Sequence, residues 1–379
     1  MTAHPVLDHR ALNRATLERQ FLLERVSQPV PETLEHLVGL QAQAPDAPYI
    51  GLWSRLTGFD ADQLARLIAS REAVRVPLMR ATVHLVTAAD HAALYPWARP
   101  VLERSFASQQ FARNLEGVDL AAVTDAAADL LAASNLTRAK LGAALAEIWP
   151  GRDPISLAYA VTYLLPVVQV PPRGIWGERG PARWSTTEAW IGRPKGRPLE
   201  PGPLLGRYLA AFGPASVRDA QMWSGLTRLQ EVADDLGAQL RRFRDEDGRE
   251  LLDLPDGPLP DPGTPAPPRF LPEYDNVLLS YASRARILTG NRAIPLPPGN
   301  GGTRGTVLVD GFFAGIWHAA RNPEQVTLHI ETFEPLTKAD ASAVTEEGLE
   351  LLAFIAPQLA SMIVLSVSGA AAGAPSARG

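Results

Sequence analysis

Cysteine is absent from this chain, which removes disulfides, thiolate nucleophiles and cysteine-bound zinc from consideration. Long apolar runs are missing as well. No stretch of about 18 residues escapes polar interruption, so no membrane-spanning helix is expected, and Met1 to Asp8 lacks the charged-then-apolar layout of a secretion signal. These absences together predict a cytoplasmic protein without membrane contact.

Lysine is scarce: Lys140, Lys195 and Lys338 are the only lysines among 36 basic residues, and the rest are arginine. A bias this general reflects a GC-rich genome more than a phosphate site, although arginine forks do suit phosphate. The formal net charge of -5 confines any nucleic-acid contact to local patches. The seven histidines (His4, His9, His36, His84, His91, His318 and His329) show no metal-ligand spacing. No Gly-x-Ser-x-Gly elbow marks a hydrolase triad, and Gly299 to Gly305 lacks the lysine and following helix of a phosphate-binding loop. No metal or cofactor is expected.

What the chain does contain is enough apolar residue, 46% against 20% charged, to bury about two or three cores over 379 positions. Helical spacing predicts helices over about 14–26 and 31–42, then from Asp60 to Ser70 with Asp60 as N-cap, followed by a strand-like run from Val76 to Val86. The order comes back. Leu120 to Ala133, Arg138 to Trp149 capped by Thr137, and a helix opened by Ser156 precede two extended runs around a Gly-rich turn, Val167 to Trp184. After a Pro/Gly-rich linker, Leu204 to Phe212, Ser216 to Ser224 and Leu229 to Leu240 precede Arg241 to Leu254, which turns at Asp247-Gly248. Three helices and a β-ribbon, three times over, is the order of a winged helix; the alternative is an ordinary α+β protein with coincidental order. Asp256 to Pro268 reads as a linker. Beyond it, Thr306–Val309, Phe312–His318 and Val326–Phe333 are β-rich and Lys338 to Ala356 is helical. The expectation is therefore an α+β chain of winged helices over 10–95, 96–191 and 192–255, a barrel-like β-rich domain with a helix over 269–366, and a disordered tail over 367–379.

Gly39-Leu40-Gln41-Ala42-Gln43-Ala44-Pro45 sets two carboxamides two residues apart, before a proline that ends helical geometry. Side chains at i and i+2 diverge on a helix and share a face on an extended segment. Gln41 and Gln43 thus converge only where the helix gives way; otherwise they are solvated surface residues.

Two basic patches stand out. Arg173, Arg179, Arg183, Arg193, Lys195 and Arg197 outweigh Glu178 and Glu188 by +4, with Trp176, Trp184 and Trp190 interleaved. Cations alternating with aromatic platforms can grip a phosphate backbone and stack on a base; the same hairpin could instead fold its tryptophans inward. Arg269, Arg284, Arg286, Arg292 and Arg304 outweigh Glu273 and Asp275 by +3, while 245–261 is acidic and should face away from a polyanion. Arg80, Thr82 and His84 share the polar side of their strand, where His84 either touches substrate or is a plain hydrogen-bonded residue.

Gly39-Leu40-Gln41-Ala42-Gln43-Ala44-Pro45, Gly51-Leu52-Trp53-Ser54-Arg55, Met79-Arg80-Ala81-Thr82-Val83-His84-Leu85-Val86 and Phe270-Leu271-Pro272-Glu273-Tyr274-Asp275-Asn276 resemble the bacterial winged-helix DNA-binding family, which includes AlkZ-type interstrand-crosslink DNA glycosylases. The resemblance runs over roughly residues 10 to 355. It implies three tandem winged helices in a C-shaped arrangement, a C-terminal β-rich domain, and a Gln-x-Gln active-site motif falling on Gln41 and Gln43. Ala81 departs from the glycine of many relatives. The function implied is excision of N7-alkylguanine, bulky adducts and crosslinks included, from double-stranded DNA by a monomer, in repair or in self-resistance to a DNA-alkylating natural product. Arg80, His84, Arg173, Trp176, Arg179, Arg183, Arg284 and Arg286 are then the expected DNA contacts. Two competing readings share the wings without needing the glutamines: a non-catalytic DNA-binding or drug-sequestering resistance protein, and a transcriptional regulator.

Overall fold

The structure, a computed structural model, describes residues 4–193, 197–289 and 304–368. Its first part runs β1 (Val6–Leu7), α1 (His9–Arg19), α2 (Val30–His36), β2 (Leu40–Gln41), α3 (Ala47–Trp53), α4 (Ala61–Ala69), β3 (Ala73–Pro77) and β4 (Val83–Thr87). Asp60 caps α4 by accepting from the Asp62 N–H. The run expected as one strand is a hairpin. Its chain reverses at Met79–Thr82, where Arg80 and Ala81 both have φ of 54° and the Thr82 N–H bonds the Met79 carbonyl at 3.1 Å. Two central residues at positive φ are the pattern of a type I′ turn, which suits the twist of a tight hairpin. Arg80 therefore sits at the tip and not on the polar face of a strand shared with Thr82 and His84.

The second part contains α5 (Ala88–Ala107), α6 (Gln110–Asn114), α7 (Leu120–Ala133), β5 (Leu136–Thr137), α8 (Arg138–Ile148), α9 (Pro154–Leu164), β6 (Val167–Val170), β7 (Arg183–Thr186) and α10 (Thr187–Ile191). Periodicity failed to announce α5, because Pro96 and Pro100 lie inside it. The helix is held all the same, by the Thr87 cap and by a buried side that includes Leu94, Ala98, Leu102 and Phe106. Asp153, three residues ahead of the expected Ser156, caps α9. Sheet order β2-β4-β3-β6-β7-β5 crosses from the first part to the second through the pairing of Arg75 with Gln169. The two parts are one continuous surface.

The third part is α11 (Pro201–Phe212), α12 (Val217–Ser224), α13 (Leu229–Leu236), β8 (Arg241–Asp245) and β9 (Glu250–Asp253), with β1 adding to β8 in parallel. Ser216 and Asp219 form a reciprocal capping box on α12. The last part is β10 (Arg269–Leu271), α14 (Asn276–Leu279), β11 (Gly305–Val309), β12 (Phe312–Arg321), β13 (Gln325–Thr332), α15 (Lys338–Ile355) and β14 (Ala360–Val367). Its five strands are hydrogen-bonded in the order β10 to β14, so among the described residues they form an open sheet backed by α15 and not a closed barrel. The unanticipated β14 returns parallel to β13 after the helix. Val367 ends that strand, and residues 369–379 of the expected tail lie outside the described residues, as do Lys195, Arg292 and most of Gly299 to Gly305.

Cores cross the part boundaries. Leu34, Leu52, Trp53 and Leu64 pack in one cluster with Phe270, Leu328, Leu351 and Leu352, so the first helices and the C-terminal sheet bury one another. At roughly 25 cal/mol per Å² of apolar surface, that shared burial fixes the C-terminal part against the glutamine strand. Two buried bidentate ion pairs add geometry: Arg19 with Asp253 at 2.7 and 2.9 Å, and Arg55 with Asp275 at 2.9 and 2.9 Å.

Candidate active site

Helix α2 stops five residues short of Gln41 for a backbone reason. Val38 (φ 54°) and Gly39 (φ 85°) turn left-handed, and the Gly39 N–H reaches back to the Leu34 carbonyl at 2.8 Å, closing the helix end. A Cβ on residue 39 would stand 2.6 Å from Val86 Cγ1, so glycine alone lets the chain pass this close to β4. The chain then extends. Gln41 pairs with His84 across β2 and β4, the Ala42 N–H bonds the Val83 carbonyl at 2.7 Å, and Arg75 Nη2 donates to the Ala42 carbonyl at 2.8 Å. The peptide between the two glutamines is clamped on both sides.

The amides meet. Gln41 Nε2 donates to Gln43 Oε1 at 2.5 Å, and Arg80 Nη2 donates to Gln41 Oε1 at 2.8 Å. Arg80 also reaches His84 Nε2 at 3.3 Å and, through Nη1, the Trp223 carbonyl of α12 at 3.3 Å. His84 Nδ1 lies 3.0 Å from the Thr82 carbonyl. A carbonyl only accepts, so Nδ1 carries the proton and Nε2 is the acceptor facing Arg80. Burial and the Arg80 charge push the His84 pKa down to about 3, which keeps it neutral. Burial, with Arg284 next in effect, pushes Arg80 down to about 10, leaving it charged at neutral pH.

Gln41 is buried, whereas Gln43 is half-buried and lines a cleft of about 540 Å³. Thr82 and Val83 of the first hairpin, Arg138 of α8, Tyr159 and Tyr163 of α9, Arg173 of the β6–β7 loop, and Glu273 line it as well. Arg138 lies 4.1 Å over the Tyr159 ring and 5.6 Å from that of Trp184. Sequence reading missed Arg138, Tyr159 and Tyr163 because they are scattered along α8 and α9 without a motif.

The predicted DNA contacts divide. Arg179 and Arg183 are exposed, and Arg173 is half-buried with Nη1 on the Gly180 carbonyl at 3.3 Å. Arg284 is half-buried with a buried, unpartnered Nε, beside Arg80. Two expectations fail on burial. His84 is 1% exposed and saturated by Arg80 and Thr82, so it is a structural residue. Arg286, 4% exposed, donates to the Pro214 carbonyl at 2.8 Å and lies 4.1 Å over Tyr281, so it is an interior cation. Trp176 packs against Tyr49 and Phe354 at 4.9 and 5.2 Å instead of standing free. Tyr49 also pins that loop by donating to the Gly174 carbonyl and accepting the Trp176 N–H.

A mixed α+β fold that orders two neutral amides at the edge of a cleft walled by arginine and tyrosine suits work on a polyanion carrying planar groups. The model of a family described as "DNA glycosylase AlkZ-like" matches residues 34–354, and the chain belongs to this AlkZ-like family of DNA glycosylases. Among solved structures it is similar to the Streptomyces sahachiroi DNA glycosylase AlkZ, with a TM-score of 0.73 and 18% identity over 95% of this chain and 100% of that one. At that identity the likeness is one of fold. No curated protein matches the chain.

Proposed function

We propose that the chain hydrolyses the N-glycosidic bond of N7-alkylguanine in duplex DNA, bulky adducts and interstrand crosslinks included, leaving an abasic site. The observation that carries this reading is the Gln41–Gln43 hydrogen bond with Gln43 facing the cleft. Alkylation at N7 makes the base cationic, so it departs without a general acid. What remains is an oxocarbenium-like sugar and a water to be held against it. Gln43 Oε1 keeps one lone pair after accepting from Gln41, and its Nε2 donates to nothing among the described residues; both are free for water or sugar. Gln41, beneath it, fixes the amide. A neutral amide stabilises positive charge less than a carboxylate, which restricts the reaction to bases already charged and spares normal DNA.

In this reading the hairpins β3–β4, β6–β7 and β8–β9 are wings of three tandem winged helices, and DNA lies across the cleft. An open cleft suits a crosslink, which cannot swing out of the duplex into a closed pocket. Hydrolysis without strand cleavage is supported by the lining of the cleft, which holds no lysine among the described residues. A gel assay on duplexes carrying N7-methylguanine tests the reading. The wild-type chain should generate abasic sites, and replacement of Gln41 and Gln43 by alanine should slow excision by at least about 100-fold while leaving duplex affinity nearly unchanged. Equal excision by the double variant refutes the assignment; binding without any excision by the wild type leaves a DNA-binding resistance protein.

A further inference from the structure

The segment from Phe270 to Asn276 is committed to structure at nearly every position. Phe270 is buried and its carbonyl accepts from Ser54 Oγ at 2.5 Å. The Leu271 carbonyl accepts from Trp317 Nε1 at 2.9 Å, and Pro272 packs beside Gly51. Asp275 takes both arms of Arg55, and Asn276 donates to the Gly39 carbonyl at 2.7 Å, two residues before Gln41. This segment ties the C-terminal part to the glutamine strand. Glu273 is the exception. Its side chain takes part in no hydrogen bond to another residue and no ion pair among the described residues, yet it lines the same cleft as Gln43. The chain turns sharply at the next residue, Tyr274, whose φ is 63°.

A half-buried carboxyl without a cation costs free energy, and a fold tolerates that cost most readily where the group has work to do. The proposed reaction supplies such work, since water attacking the sugar must shed a proton that neither glutamine amide can take. We propose that Glu273 is a catalytic residue, the base that accepts this proton from the water held by Gln43. The step balances: the C1′–N9 electron pair leaves with the base, neutralising the N7-alkylguanine cation, the water oxygen bonds C1′, and one water proton passes to the Glu273 carboxylate. Burial, and then the Asp46 charge, hold the Glu273 carboxyl above the usual carboxylate range, which makes it a better proton acceptor than an exposed glutamate. Around the cleft the other charged or titratable groups are Arg138, Tyr159, Tyr163, Arg173 and Tyr274, with Asp46 just outside the lining.

This inference rests on the glycosylase reading, and the experiment separates the two. Single-turnover excision of N7-methylguanine from duplex DNA is followed from acid to neutral pH for the wild type, Glu273→Gln and Glu273→Asp, with duplex affinity and melting temperature measured alongside. The wild-type rate should rise with pH to a plateau. Glu273→Gln should fall by about 100-fold at the plateau and lose the rise, with affinity and melting temperature held; Glu273→Asp should recover part of the rate and all of the pH dependence. A Glu273→Gln enzyme within about twofold of wild type, or one that keeps the same rise, overturns the inference and leaves the glycosylase reading standing. A wild type that excises nothing overturns both.

Discussion

The Arg80 guanidinium donates to Gln41 Oε1 at 2.8 Å, and this bond decides how both amides of the pair point. Arginine offers only donors, so the Gln41 atom that meets it is oxygen. Its NH₂ then faces Gln43, whose contacting atom is oxygen in turn. A cation at the hairpin tip thus sets the orientation of the Gln43 amide, two residues beyond the one it touches.

Arg80→Leu removes the donor and frees Gln41 to flip. Excision of N7-methylguanine should slow by roughly 10–100-fold, while duplex affinity changes by less than about threefold, because the guanidinium is spent inside the protein. Single-turnover rates set beside equilibrium binding check this. Affinity lost in step with rate would make Arg80 a DNA contact instead.

Reaching that position strains the turn. Arg80 and Ala81 both hold positive φ, which an L-residue adopts at a cost of about 1 kcal/mol. Glycine removes the steric cost but loses more entropy on folding, so Ala81→Gly should stabilise the chain by roughly 0.5 kcal/mol and raise its melting temperature by a degree or two. A lower melting temperature would mean that the Ala81 methyl, which lines the cleft, is itself packed.

His84 gives the chain an acid sensitivity. Its folded pKa of about 3 lies below the ordinary value, so the unfolded state binds the proton more readily. Stability is unaffected above the ordinary value of 6.5 and falls as pH drops from there toward 3. The loss at about pH 5 is about 2 kcal/mol. Burial also lowers His91, to about 4, and His36, and these add to the slope. Denaturant melts at about pH 8 and pH 5 should show a drop that is smaller by about 2 kcal/mol in His84→Asn, whose amide still offers a donor toward the Thr82 carbonyl. An equal drop in the variant would place the sensitivity elsewhere.

Much of the architecture was legible in the sequence because it is written in local chemistry. Leu120 to Ala133 folds as the helix its spacing predicts, and Asp60 and Thr137 are the caps they were expected to be. The convergence of Gln41 and Gln43 was legible too, from the two-residue spacing ahead of Pro45. What escaped depends on contacts distant in sequence. Whether a cation is free or interior is invisible to a charge count: Arg286 and Arg183 look alike in the sequence, yet one is buried against the Tyr281 ring and the other is exposed at the start of β7. Strand β14 escaped because Ala360 to Val367 gains its pairing from β13, far back in the chain. Glu273 was counted as a charge opposing a basic patch, and its place in the cleft that Gln43 lines comes from the residues just after it, Asp275 held by Arg55 and Asn276 held by the Gly39 carbonyl.

The contrast between Arg183 and Arg286 is itself testable. Arg183 is exposed on β7 and makes no ion pair among the described residues, so Arg183→Ala should leave stability within about 0.5 kcal/mol. It should weaken duplex binding for all sequences alike and lower the slope of log affinity against log salt by about one, the signature of one lost phosphate contact. Arg286→Met strands the Pro214 carbonyl and removes a guanidinium from Tyr281, which predicts a loss of about 1–3 kcal/mol in stability. Its folded fraction should bind DNA with the wild-type salt slope, since an interior cation neutralises no phosphate. A shallower slope for Arg286→Met, with an unchanged one for Arg183→Ala, would mean that the C-terminal part opens on DNA and that the buried cation is delivered to the backbone only in the complex.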